Sequence, residues 1–167
     1  APSFAAGTEE HLPQIYVNGI GTRAVYEVDD PDKTPLFFPI DNEGLMENLG
    51  NITGYIESAV KKNNPDILSD AIYSIMWDTM GKATLDTDGI TNKFNVTVDP
   101  CPLEYKGNGK YNFCYDSRLD PVDIAAQLYD YVQQVKAHSG SERYELVASS
   151  YGGAIAAAYL HEYEQEW

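Results

Sequence analysis

Basic residues are scarce in this sequence: Lys and Arg number 11 against 26 Asp and Glu, a formal net charge of −15. A surface so acidic repels a phosphate backbone, so nucleic acid is excluded as an expected partner. No long apolar run occurs, which excludes a transmembrane helix. Cysteine is limited to Cys101 and Cys114, on either side of a Gly/Asn-containing segment, and these read either as a disulfide or as two buried free thiols. Histidine occurs only as His11, His138 and His161, so candidates for a general base are few. Metal-ligand patterns are lacking too. Asp86-Thr87-Asp88-Gly89 begins like a calcium loop, but the later ligands and the closing Glu are missing, and it reads as a turn. No metal and no cofactor is expected.

What is present is a chain of 167 residues, 43% of them hydrophobic, enough for one domain with a core. It is organised around residues 144–160. There an apolar run feeds Ala148-Ser149-Ser150-Tyr151-Gly152, followed by Gly153, Ala154, Ala156, Ala157 and Ala158. The pattern departs from the nucleophile elbow G-x-S-x-G only at its first small residue. Such an elbow is a strained turn between strand and helix, where larger side chains at the flanking small positions would collide. The alanines and glycines behind it make a helix thin enough to lie close against a sheet. Ser150 is the candidate nucleophile.

Taken in order, the chain supplies a scaffold for that turn. Gln14 to Val17 reads as a short buried strand running into Gly19-Ile20-Gly21, a loop that exposes backbone N–H groups or is simply an ordinary turn. Phe37 and Phe38 follow a proline-bracketed polar loop and face either a pocket or the core. Residues 41–81 switch to helical periodicity, with Leu45, Leu49, Ile52, Ile56 and Val60 at spacings of three and four. Asn64-Pro65-Asp66 then caps a second helix whose apolar stripe is Ile67, Leu68, Ala71, Ile72, Ile75 and Met76, with Gly81 as its stop. This helical insertion is a candidate cap, offering Ile75, Met76, Trp77 and Met80 to a fatty chain, or else ordinary core packing. The 94–98 stretch alternates as a strand, and so does 111–116. Asp120-Pro121 opens a helix with Ala125, Leu128, Val132 and Val135 on one face, ending at Ser139-Gly140. Strand, helix, strand, elbow and helix make a parallel βαβα unit.

Three segments carry a family resemblance: Val17-Asn18-Gly19-Ile20-Gly21, Tyr115-Asp116-Ser117-Arg118-Leu119-Asp120-Pro121, and Val147-Ala148-Ser149-Ser150-Tyr151-Gly152-Gly153. Together they resemble the V-P-G-x-x-G loop, the Y-D-W-R-L-x-P segment and the H-S-M-G-G elbow of lecithin:cholesterol acyltransferase-like lipases of the α/β-hydrolase superfamily. Asn18, Ser117, Ser149 and Tyr151 depart from those patterns. The resemblance implies a partial α/β-hydrolase fold, with a mostly parallel sheet, flanking helices and 41–81 as the helical insertion. It further implies Ser150 as nucleophile, Ile20 and Tyr151 as backbone oxyanion donors, and an acyl ester, lipid-like, as substrate. Asp116 and Arg118 would be structural.

In that superfamily the triad acid and histidine follow the nucleophile in the chain. Only 17 residues, 167 − 150, follow Ser150 here, and His161 among them lies on the far turns of one helix. His11 and His138 precede the motif. Glu162, Glu164 and Glu166 oppose the dipole of the last helix, and Trp167 follows without a cap. The expectation is therefore the N-terminal, nucleophile-bearing part of a single hydrolase domain, inactive or nearly so without a complementary segment or chain carrying Asp and His. Its sheet would end in an uncovered strand edge. The small-residue start at Ala1 fits removal of a secretory signal, or only the point at which the given chain starts, and a secreted or extracytoplasmic location is expected. Asn51-Ile52-Thr53 and Asn95-Val96-Thr97 match the glycosylation pattern, which chance produces often. The competing expectation is a noncatalytic α/β binding or adhesion module in which Ser150 is a turn residue.

Overall fold

The structure, a computed structural model, describes residues 12–36 and 42–166. His11, Phe37, Phe38 and Trp167, named above, lie outside the described residues. In chain order the elements are β1 (Gln14–Val17), β2 (Val25–Glu27), α1 (Asn42–Lys62), α2 (Asp66–Met80), β3 (Val96–Val98), β4 (Glu104–Tyr105), β5 (Lys110–Phe113), α3 (Pro121–Ser139), β6 (Glu145–Ala148) and α4 (Tyr151–Glu162). They form an α/β chain with a mostly parallel main sheet. The described chain divides into two compact units, one of residues 12–19, Cys101–Tyr115 and 121–166, the other of 20–36, 42–100 and Asp116–Asp120.

The first unit holds the four-stranded sheet, in the order β4-β5-β1-β6. β1 pairs in parallel with both neighbours, Ile15 opposite Tyr111 on one side and Leu146 on the other. The expected parallel βαβα unit, β5–α3–β6–α4, forms with β1 inserted between its two strands. The crossover through α3 spans one intervening strand, roughly 10 Å of sheet at the usual strand spacing. Periodicity along the chain reports that strands exist; it carries no information on which of them are adjacent. β4 closes an antiparallel hairpin onto β5, and Gly107 (φ 83°) and Gly109 (φ 73°) supply the left-handed backbone of its turn. The predicted strand at 111–116 is shorter and earlier than expected, leaving Tyr115 and Asp116 beyond its end.

α3 packs on the sheet as its spacing requires. Ile124, Ala125, Leu128, Val132 and Val135 are fully buried, and Gly140 (φ 72°) ends the helix by donating its N–H to Lys136 O at 2.9 Å. The Tyr131 hydroxyl donates to Asn112 O at 2.7 Å and accepts the Glu104 N–H at 3.2 Å, tying α3 to β5 and β4. Cys101 and Cys114 form a disulfide, with Cα atoms 5.6 Å apart, so the free-thiol alternative falls away. It staples the segment before β4 to the residue after β5.

The second unit contains the antiparallel pair β2–β3 and the α1–α2 hairpin. Val25, Ala83 and Val96 form its small core, with Leu36 and Val98 against it. β2 is too short, at three residues, to show an alternation in the sequence, and β3 starts only at Val96, leaving Phe94 exposed. The 86–89 turn forms as expected, with Gly89 N–H donating to Asp86 O at 2.9 Å. So does the α2 cap, where Asn64 Oδ1 accepts the Asp66 N–H at 3.0 Å.

The apolar stripes of α1 and α2 are a different matter. Among the described residues of these helices the buried ones are the small Ala59 and Ala71, while Ile56, Ile72 and Met76 are exposed and Val60 is 75% exposed; the side chains of Leu45 and Leu49 lie outside the description. Spacing of three and four shows that a helix has an apolar face, and burial depends on what meets that face. α2 does stop at Gly81, whose N–H donates to Trp77 O, though by a different geometry from a left-handed cap. The Gly81 φ of −59° is helical and the residue leads into a short 3-10 turn, so it does not act as a left-handed stop. A Cβ there would stand 2.8 Å from Trp77 Cδ2, and the ring lying over it accounts for the glycine. Among the described residues no helix is long and apolar enough to cross a membrane.

Candidate functional site

The site is built where β6 ends. Ser149 donates its N–H to Val17 O at 3.1 Å, which holds the end of β6 beside the end of β1. The chain then turns at Ser150, whose φ of 53° and ψ of −129° lie in a region that L-residues rarely occupy. Strain of that kind costs about 1–3 kcal/mol and persists only where the surroundings enforce it. Here they do. Gly152 N–H donates to Ser149 O and Gly153 N–H to Ser150 O, both at 2.9 Å, starting α4 immediately. A serine just before a helix ordinarily caps it through Oγ. Ser150 makes no such side-chain bond, and the residue is exposed.

Two glycines let the backbone close around this turn. A Cβ on Gly152 would lie 2.0 Å from Val17 O and 2.6 Å from Asn18 O, both main-chain atoms, so no side chain fits there. Gly19 abuts the serine itself: a Cβ on it would stand 3.0 Å from Ser150 Cβ and 3.2 Å from Oγ. Tyr151, an expected oxyanion donor, is the first residue of α4, so its amide belongs to the positive end of the helix dipole. Ile20, the other expected donor, belongs to the second unit and is half exposed.

Tyr115 is the residue that sequence reasoning missed. It is fully buried, its hydroxyl donates to Asn18 O at 2.6 Å and Gly19 O at 2.9 Å, and its ring packs against Phe113 and Tyr151. Burial, with the neighbouring Tyr151, pushes its pKa up to about 12, so it stays a hydrogen-bond donor at any ordinary pH. Its place at the head of the Tyr115-Asp116-Ser117-Arg118 segment was the available signal.

In the second unit Arg118 and Asp116 form a forked ion pair, Nε 2.9 Å from Oδ1 and Nη2 2.6 Å from Oδ2. Arg118 also donates to Ala83 O at 2.7 Å and Asn92 Oδ1 at 3.0 Å. Burial raises the Asp116 pKa, but hydrogen bonds from Arg118 and the charges of Arg118 and Arg23 outweigh it and hold the carboxyl below its usual value. Ser117 Oγ accepts the Gly21 N–H at 3.1 Å.

No family model, no curated protein and no solved structure matches the chain. The described histidines lie elsewhere: His138, near the end of α3, has its Nδ1 2.8 Å from the Tyr111 hydroxyl. His161 is in the last turn of α4, 3.9 Å from Glu162, and eleven residues past Ser150 it stands roughly 16 Å along the helix. Among the described residues no group of His, Cys, Asp and Glu is disposed to hold a metal ion.

Proposed function

We propose that this chain is the nucleophile-bearing part of a serine ester hydrolase with an α/β-hydrolase arrangement, lipase-like or acyltransferase-like, acting on acyl esters of lipids. The observation that carries the reading is the backbone of Ser150, a strained non-glycine turn between a parallel strand and a helix, with its hydroxyl uncommitted to capping. Ser150 Oγ, its proton taken by a general base, attacks the ester carbonyl with the Tyr151 amide receiving the oxyanion; the ester's alcohol leaves, and the acyl-enzyme passes its acyl group to water or another alcohol. The general base and its carboxylate come from a complementary segment or chain. Support for the missing partner is the edge position of β6, whose Val147 is 40% exposed, and the exposed Leu160 of α4. The disulfide suits a secreted or extracytoplasmic location.

The alternative, a noncatalytic α/β binding or adhesion module, is favoured by the hydrogen bond that holds His138 to Tyr111 and by the place of His161 in the last turn of α4, both away from the elbow. A fluorophosphonate probe applied to the full-length encoded protein separates the two. Labelling of the native protein that disappears in Ser150→Ala is the expected result; absence of label, or label that survives the substitution, sinks the hydrolase reading.

A further inference from the structure

We infer that Tyr115 is a positioning residue for the Ser150 site, clamping the loop after β1 by its carbonyls so that the Gly19 backbone is held against the serine; this rests on the hydrolase reading above. A phenol has one hydrogen, and here two successive carbonyls converge on it, Asn18 O at 2.6 Å and Gly19 O at 2.9 Å. In a trans peptide the N–H points opposite to its C=O. Drawing both carbonyls onto one hydroxyl therefore turns the N–H groups of residues 19 and 20 away from Tyr115. Successive N–H groups turned to one side make an anion-binding concavity, the arrangement an oxyanion needs.

The clamp is rigid because the ring cannot move aside. Tyr115 is fully buried, lies over Phe113 at a ring separation of 5.8 Å and an interplanar angle of 26°, and meets Tyr151 at 6.2 Å. One residue thus touches the loop on one side of Ser150 and the first helical residue on the other. The approach it maintains is close, since a Cβ on Gly19 would stand 3.2 Å from Ser150 Oγ. Without the hydroxyl, two loop carbonyls lose their shared donor while the packing of the ring is kept.

Tyr115→Phe in the full-length protein tests this. The measurements are kcat and KM for p-nitrophenyl butyrate, the rate of fluorophosphonate labelling at Ser150, and the folded fraction by circular dichroism. Tyr111→Phe is the control, since it removes another buried phenol, bonded to His138. For Tyr115→Phe, kcat and labelling rate fall by about 10–100-fold, the scale of a misplaced catalytic contact, with KM within about twofold and the fold intact. Tyr111→Phe keeps its kcat. Retention of kcat in Tyr115→Phe while Ser150→Ala is dead overturns the positioning role and leaves the hydrolase reading standing. A loss matched by the loss of folded protein, or shared equally by Tyr111→Phe, overturns it as well. A wild-type protein that neither labels nor turns over defeats the hydrolase reading and this inference together.

Discussion

Gly152 and Gly153 sit side by side in the first turn of α4, and the structure assigns them opposite consequences. A methyl on Gly152 would meet the carbonyls of Val17 and Asn18 at 2.0 and 2.6 Å, whereas nothing lies within 4 Å of a Cβ on Gly153. Gly152→Ala should therefore cost about 3 kcal/mol or more, or prevent folding, since main-chain atoms at the end of β1 cannot swing aside as a side chain could. Gly153→Ala should be neutral or stabilise by up to about 1 kcal/mol, the difference between the two residues in a helix interior. Urea unfolding of both variants checks the pair, and equal midpoints would refute the close approach of α4 to β1. The small residues around Ser150 were legible in the sequence as a turn requirement. Which atoms they avoid was not, because the carbonyls that exclude a side chain at Gly152 belong to residues more than a hundred positions away.

At the level of the element, the disulfide and α3 show what constrains the first unit. Cys101 and Cys114 close a loop around the β4–β5 hairpin with a sequence separation of 13, and a loop near that length is worth about 3 kcal/mol through the unfolded chain. The double substitution Cys101→Ser and Cys114→Ser should lower stability by roughly that amount, read as a fall in the urea midpoint, with no further fall when reductant is added. A variant as stable as the parent would show that the hairpin is held by its turn and by Tyr131 alone. The helices differ in how faithfully their spacing foretold burial. α3 lies on a sheet and covers Ala125, Leu128, Val132 and Val135, as expected. α1 and α2 have the same kind of spacing, yet Val60 and Ile72 are exposed, because a face is buried only by the width of its partner.

Across the whole molecule the acidic balance and the Asp116–Arg118 pair act in opposite directions as pH falls. With a net charge of −15, protonation first relieves self-repulsion, which favours the compact state. Asp116 works the other way. Its folded pKa is depressed, so the stability it contributes is fully present above the unfolded carboxyl value of about 4 and is lost as pH falls through the folded value. Asp30 and Asp88 are lowered too, chiefly by hydrogen bonds from Thr34 and Thr91. The urea midpoint should hold between pH 7 and 5 and fall below about pH 4, with a shallower fall in Asp116→Asn. Parallel pH profiles for the two proteins would remove Asp116 from the account.

By itself the sequence determined what depends on near neighbours: β1 and α3 with its capping proline and terminal glycine, the Asn64 cap, the 86–89 turn, and an elbow-like turn at Ser150. Those are decided by backbone preference and by spacing within a few residues. Tertiary structure alone decided that β1 lies between β5 and β6, that Cys101 joins Cys114, that Gly152 faces the end of β1, and that Tyr115 reaches the loop carbonyls. Each of these joins residues distant in the chain, and local pattern carries no record of such meetings. The strain at Ser150 belongs to both. Its sequence asks for a tight turn, and only the packed ends of β1 and β6 hold the serine there.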